Sequence, residues 1–218
     1  MDRGKNLIIF IGIIILYLFM QTLAPIATEI FNIKNKLLIN ILLITFDFLT
    51  LAVLIFIYKK DFKKSIDDLN KNYKEKLLFS LKIWLFGLLF MMVSNTLIDL
   101  IVNGIAENEA INRVIIDKYT FYAIPSIIII APICEEIIFR LSLKKAFKND
   151  LLFMFASGFL FGLAHVIGST GLELLYILPY GALGFAFAYI YAKNKNILCP
   201  ILMHMLHNFI CILIILFM

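Results

Sequence analysis

The sequence predicts an all-α, polytopic transmembrane helix bundle of about seven spans with a cytoplasmic N-terminus. Three observations carry that expectation. Apolar residues make up 62% of the chain and charged residues 16%, with a mean hydropathy of +0.97. A soluble domain is nearer half apolar and a quarter charged. The apolar excess is gathered in long runs, and a run of roughly 20 residues is what a bilayer-crossing helix needs. The lysines and arginines fall between those runs, where they report orientation rather than nucleic-acid binding, although the formal charge is +5. Cys134, Cys199 and Cys211 all lie in apolar runs without paired spacing, which argues against a disulfide framework.

Arg3 and Lys5 precede the first apolar run, residues 7–27. It exceeds the ~7–15-residue core of a signal peptide, so it reads as an uncleaved span. The second span covers 37–58. Residues 59–76 hold seven lysines against four acids and read as a cytoplasmic loop or an amphipathic surface helix. The third span is 77–102, and 103–118 is a mildly acidic loop. Span four is 119–141, followed by a basic linker with Lys144, Lys145 and Lys148. Spans five, six and seven are 151–167, 172–192 and 197–218. The positive-inside rule then puts the N-terminus and segments 59–76, 144–148 and 193–195 in the cytoplasm. Richness in Ile, Lys, Asn and Phe suggests an AT-rich prokaryotic genome, so the expected location is a prokaryotic plasma membrane.

Span four carries the stretch around which the chain is organised. Glu135, Glu136 and Arg140 lie inside an otherwise apolar run. An ionisable group at mid-bilayer costs roughly 2.5–3.5 kcal/mol on insertion scales, so three in six residues point to a buried polar site. Glu136 and Arg140 are four apart with the acid first, the favourable ion-pair spacing. Glu135 diverges from Arg140 by about 140° on a helix and is left without a local counter-ion. An unpaired buried carboxylate suits a general base. The bland alternative is that all three residues only join helices. Pro132, three residues before Glu135, opens or kinks its helix and could admit water, and Pro179 does the same in span six.

Two further clusters contain all three histidines. In span five, Phe161 and His165 share a helical face, as do Gly158 and Gly162, whose small size lets another helix approach closely. In span seven, His204 and Asn208 share a face, and an imidazole with a carboxamide suits donation to an oxyanion. His207 reads as a packing residue. Asp47 lies mid-span without a local partner, as a helix cross-link. Lys82 and Asp99 sit near span ends, and Glu173 opens span six. A zinc site is open as an alternative, with Glu135, His165 and His204 as ligand candidates. No compact HExxH motif supports it, and no metal is assigned.

Together, Glu135-Glu136-x-x-x-Arg140, Phe161-x-x-x-His165 and His204-x-x-x-Asn208 resemble the CPBP family of intramembrane proteases. That family includes type II CAAX prenyl endopeptidases and bacteriocin-processing or self-immunity proteins. The resemblance covers about residues 119–211. It implies a catalytic four-helix core over 119–218, behind three N-terminal helices over 1–118. It also implies an endopeptidase cutting a membrane-associated peptide or protein at the cytoplasmic face. Glu135 would activate water with help from His165, and His204 and Asn208 would stabilise the oxyanion. Glu136, Arg140 and Phe161 would support them. The family has been described both as metal-dependent and as glutamate-type; the absence of a compact metal motif favours the second. The alternatives are a non-catalytic immunity or interaction protein for a bacteriocin-like peptide, and a proton-coupled transporter. One conflict stands: at 1.5 Å per residue, Glu135 and His204 lie about 10 Å from the cytoplasmic end but His165 about 22 Å. Convergence therefore requires span five to tilt or start deeper, with residues 144–150 as a short interfacial helix.

Overall fold

The computed structural model describes residues 3–102 and 104–217. The expected loop start at Asn103 and the span end at Met218 lie outside the described residues. Among them the chain forms helices α1 (Arg3–Ile30), α2 (Lys36–Ile57), α3 (Lys59–Val102) and α4 (Glu107–Lys118). Then come α5 (Thr120–Ser142), α6 (Asp150–His165), α7 (Ile177–Asn194, after a 3₁₀ stretch Gly171–Tyr176) and α8 (Leu198–Phe217). No strand occurs among the described residues. Six of these segments are long and apolar enough to cross a membrane. The expected fifth span, α6, has 16 residues. That is about 24 Å of helix against a hydrocarbon core of about 30 Å.

Residues 59–76 take the helical of the two expected forms and run, across a kink, into the third span within Lys59–Val102. Asn72, at φ −134° and ψ 33°, breaks the helical regularity and separates a lysine-rich arm from the apolar part. Two other sequence expectations change. Residues 107–118, expected as loop, form α4, with Glu107 and Glu109 in its first turn and Lys118 in its last. Those charges complement the helix dipole. Finally, no interfacial helix forms over 144–150. The chain turns there, and Asn149 caps α6 by accepting from the Leu151 and Leu152 N–H groups at 2.8 and 3.0 Å.

At the lysine-rich end, polar side chains tie the turns together. Buried Asn196 donates to the Ser65 carbonyl at 2.8 Å and to Asp68 at 2.6 Å, and accepts from Leu198 N–H at 3.0 Å. This docks the α3 arm on the α7–α8 turn. Asn6 donates to the Lys145 carbonyl at 2.8 Å, and Lys145 pairs with Asp61 at 3.0 Å. Deeper in, glycines set the helix spacing. A Cβ on Gly158 would lie 2.8 Å from the Gly181 carbonyl oxygen, and one on Gly162 would lie 2.7 Å from that of Ile177. The close approach expected of these two glycines is therefore real, and its partner is α7. A Cβ on Gly87 would meet Ala186 at 2.7 Å, so α3 approaches α7 in the same way. These contacts bring α6 against α7 and carry Phe161 and His165 toward the centre of the bundle.

Gly162→Ala should therefore lower thermal stability in detergent, by about 1–3 kcal/mol for forced repacking. Gly12→Ala is the control, since a Cβ there meets nothing within 4 Å. Equal melting temperatures for the two variants would remove close packing as the reason for Gly162.

Candidate active site

The centre of α5 is not a regular α-helix. Ala131–Glu136 is α-helical, but π-helical turns flank it at Ser126–Ile130 and Ile137–Ser142. π-Turns occur mostly as local bulges and often at functional sites. Here the sequence supplies a cause. Pro132 has no N–H to donate, and the Ala131 N–H bonds back to the Ser126 carbonyl. The Ile127 carbonyl thus loses both helical donors within its reach, at the fourth and fifth residues beyond it. Asn208 of α8 supplies a donor instead, its Nδ2 lying 2.8 Å from the Ile127 oxygen. The proline expected to open this helix leaves a carbonyl that holds a side chain of another helix.

Glu136 and Arg140 are both 0% exposed. Their closest atoms, Arg140 Nε and Glu136 Oε2, are 3.0 Å apart. The N–H does not point at the oxygen, and both atoms lack a directed hydrogen bond, so the contact is a charge pairing without aligned donation. Arg140 also donates to Ser157 Oγ at 3.2 Å, and Ser157 donates to the Phe139 carbonyl at 2.8 Å. The rings of Phe161, Phe187 and Phe139 enclose the guanidinium at 4.8, 5.7 and 6.0 Å. Aromatic faces stabilise a cation more when it is desolvated.

Helical arithmetic assigned Arg140 to Glu136, and the pair forms. The sequence did not reveal that Glu136 has a second partner. Its Oε1 lies 3.0 Å from Nδ1 of His204, which is 3% exposed. A carboxylate accepts, so Nδ1 carries the proton. The opposite nitrogen, Nε2, faces Glu135 Oε2 across 3.8 Å. That oxygen is buried and has no hydrogen-bond partner, while the Glu135 side chain as a whole is 19% exposed. The His204 ring stacks on Phe187 at 4.9 Å and meets Phe161 edge-on at 5.6 Å.

His165 is brought near this cluster but not into contact with its polar atoms. Its Nδ1 donates to the Phe161 carbonyl at 2.8 Å, and its ring lies between Phe161 at 4.4 Å and Tyr180 at 4.6 Å. No hydrogen bond or ion pair joins it to Glu135 or His204. The Phe161 ring lies against both imidazoles, 4.4 Å from that of His165 and 5.6 Å from that of His204. The α6 boundary stays at Asp150. His207 is buried, with Nε2 3.6 Å from Cys211 Sγ, as befits a packing residue. Ser157, Phe139 and Phe187 had not been singled out. Ser157 precedes Phe161 and His165 at helical spacing, a signal that could have found it. The two phenylalanines gave none.

The metal alternative requires Glu135, His165 and His204 to converge. Among the described residues, no three His, Cys, Asp or Glu side chains come close enough to hold a metal ion. The donor types are suitable, and each imidazole Nδ1 is fixed by an acceptor as metal-bound histidines require. The spacing does not fit.

Comparison with known proteins points to the same family. The family model described as type II CAAX prenyl endopeptidase Rce1-like matches residues 117–210. A Bacillus subtilis protein named "Putative membrane peptidase YdiL" is 36% identical over 118 residues, 51% of this chain and 45% of that one. An uncharacterized protein of Mycoplasma capricolum subsp. capricolum is 29% identical over 202 residues, 86% of this chain and 56% of that one. The chain thus spans about half the length of the curated relatives it matches. No solved structure matches it at comparable significance. Residues 117–210 are thus similar to the type II CAAX prenyl endopeptidase Rce1-like family, the one that the three motifs resemble.

Arg140→Met leaves Glu136 buried without its cation, and should cost about 3–5 kcal/mol. Adding Glu136→Gln should restore part of that loss, because an uncompensated charge costs more than a lost pair. Thermal unfolding of the two variants in one detergent checks this. A double variant less stable than Arg140→Met would refute it.

Proposed function

We propose that the chain is an intramembrane endopeptidase in which Glu135 activates the hydrolytic water. The observation that carries this reading is the buried Glu135 Oε2, which lacks a protein partner and faces His204 Nε2 at 3.8 Å. A water at ordinary hydrogen-bond distance can touch both atoms when it sits beside the line between them. Glu135 takes its proton as the water attacks the scissile carbonyl, then returns it to the leaving amine. His165, with Nδ1 occupied by backbone, offers Nε2 as a further polar contact.

Glu136 serves His204 as a carboxylate serves histidine in hydrolytic triads, holding Nδ1–H so that Nε2 is correctly aimed. When the ring is protonated on both nitrogens, Nε2–H donates to the developing oxyanion. Glu136 balances its charge, since Glu135 holds the water's proton at that stage. Asn208 has one amide N–H on the Ile127 carbonyl, which leaves the second to donate to the same oxyanion. Arg140 neutralises Glu136 and keeps the carboxylates from repelling one another. The expected substrate is a peptide segment held at the cytoplasmic side of the bilayer, as the orientation of the basic loops suggests.

Glu135→Gln keeps size and burial but removes the base. It should reduce cleavage by about a hundredfold or more while the protein inserts normally. Peptide termini would be compared in membranes of cells lacking the native protein that express wild type or Glu135→Gln at equal levels. Termini specific to the wild type support the proposal and show the cut site. Identical termini from both would sink it and favour a non-catalytic binding protein.

A further inference from the structure

We propose that Asp47 of α2 is a positioning residue for the site: through Ser126 it fixes the wide turn of α5 whose Ile127 carbonyl anchors Asn208. The inference rests on the endopeptidase reading above and extends it to helices that the matched family segment, residues 117–210, does not include.

Asp47 is 4% exposed in a helix that is otherwise strongly apolar. A carboxylate at such depth is expensive unless it is engaged. Its Oδ1 accepts from Gln21 Nε2 of α1 at 2.9 Å, and its Oδ2 accepts from the Ser126 hydroxyl of α5. Ser126 is the first residue of the wide turn, and its own carbonyl receives the Ala131 N–H that defines that turn. The next residue is Ile127, whose freed carbonyl accepts from Asn208 at 2.8 Å. An unbroken chain of hydrogen bonds and one peptide unit therefore runs from Gln21 and Asp47 through Ser126 and Ile127 to Asn208.

A second grip lies on the same face of α2. Asn40, two turns before Asp47, accepts from the Tyr122 N–H at 3.0 Å, one turn before Ser126. Two points on α2 thus hold two successive turns of α5. Packing alone does not fix the wide turn, because a cavity of about 150 Å³ borders it, lined among others by Tyr17, Gln21, Asp47, Ser126 and Ile127. Without the Asp47–Ser126 link the turn has room to relax. The carbonyl would move with it and release Asn208 from the orientation in which its second N–H faces the reacting carbonyl.

The test is kinetic and uses the full chain in membranes, with the wild-type-specific termini as product. Displacement of a catalytic group by about 1 Å costs on the order of a hundredfold. Asp47→Ala should slow product formation about ten- to a hundredfold at equal inserted levels. Asp47→Asn, whose carboxamide oxygen still accepts from Ser126, should recover most of the rate. The double variant Asp47→Ala/Asn208→Ala should be no slower than Asn208→Ala alone, because the two changes remove the same function. Wild-type rate in Asp47→Ala, or a double variant slowed by the product of the single effects, would overturn the proposal. If Glu135→Gln cleaves like the wild type, the endopeptidase reading fails first. Amide hydrogen exchange then decides the positioning claim. Asp47→Ala should speed exchange in residues 122–131 and 204–212 but not in α7, and unchanged exchange in those segments would refute it.

Discussion

The arrangement of the central helices depends on keeping Glu136 and Arg140 charged at zero exposure. Removing two such ions from water costs several kcal/mol each, and a single contact with misaligned donors does not offset that cost. The remainder is supplied by residues on other helices: Ser157 and Phe161 from α6, Phe187 from α7 and His204 from α8. Each satisfies part of one charge, so each helix is held at the depth and rotation where that contact is made. The pair is a weak source of net stability and a strong source of specificity in how the helices meet.

The same constraint separates the two adjacent glutamates. Glu136 is consumed by Arg140 on one side and His204 on the other. Glu135, one residue earlier, forms no ion pair with Arg140 and keeps a buried oxygen without a hydrogen-bond donor, 3.8 Å from His204 Nε2. Two identical side chains thus acquire different chemistry from the rotation of one helix. The π-turns make that rotation local. They bracket the six-residue stretch that bears both carboxylates, so the face it presents is set independently of the regular helix before and after it.

Much of this was legible in the chain. The spans followed from hydropathy and the Glu136–Arg140 pair from a spacing of four. The tight α6–α7 contact followed from Gly158 and Gly162, and the cross-linking role of Asp47 from a charge without a neighbour. The misses have physical causes. Residues 107–118 form a polar helix, and a polar segment between spans carries no apolar periodicity to distinguish helix from loop. The contact of Glu136 with His204 joins residues 68 apart, and no local spacing encodes it. Pro132 signalled a disturbed helix, but that its missing N–H frees the Ile127 carbonyl for Asn208 emerges only when α8 is in place. That His165 meets the other imidazole through the Phe161 ring rather than directly is likewise set by tertiary packing.

The N-terminal helices gain meaning from this geometry. The family match begins at residue 117 and takes in most of the residues with chemistry. Yet the wide turn that anchors Asn208 is gripped by Asn40 and Asp47 of α2, with Gln21 of α1 behind them. Phe10, Ile13, Leu51 and Leu54 of these helices share one apolar cluster with Ile130, Cys134 and Ile137 of α5. A π-turn has only a few i→i+5 hydrogen bonds of its own, so its shape depends also on what surrounds it. The six-residue stretch is therefore held on opposite sides by different parts of the chain. α6 to α8 hold the charged face, and α1 and α2 hold the back. On the proposed reading, residues 117–210 supply the reactive groups, and the first two helices supply the constraint that keeps one of them aimed.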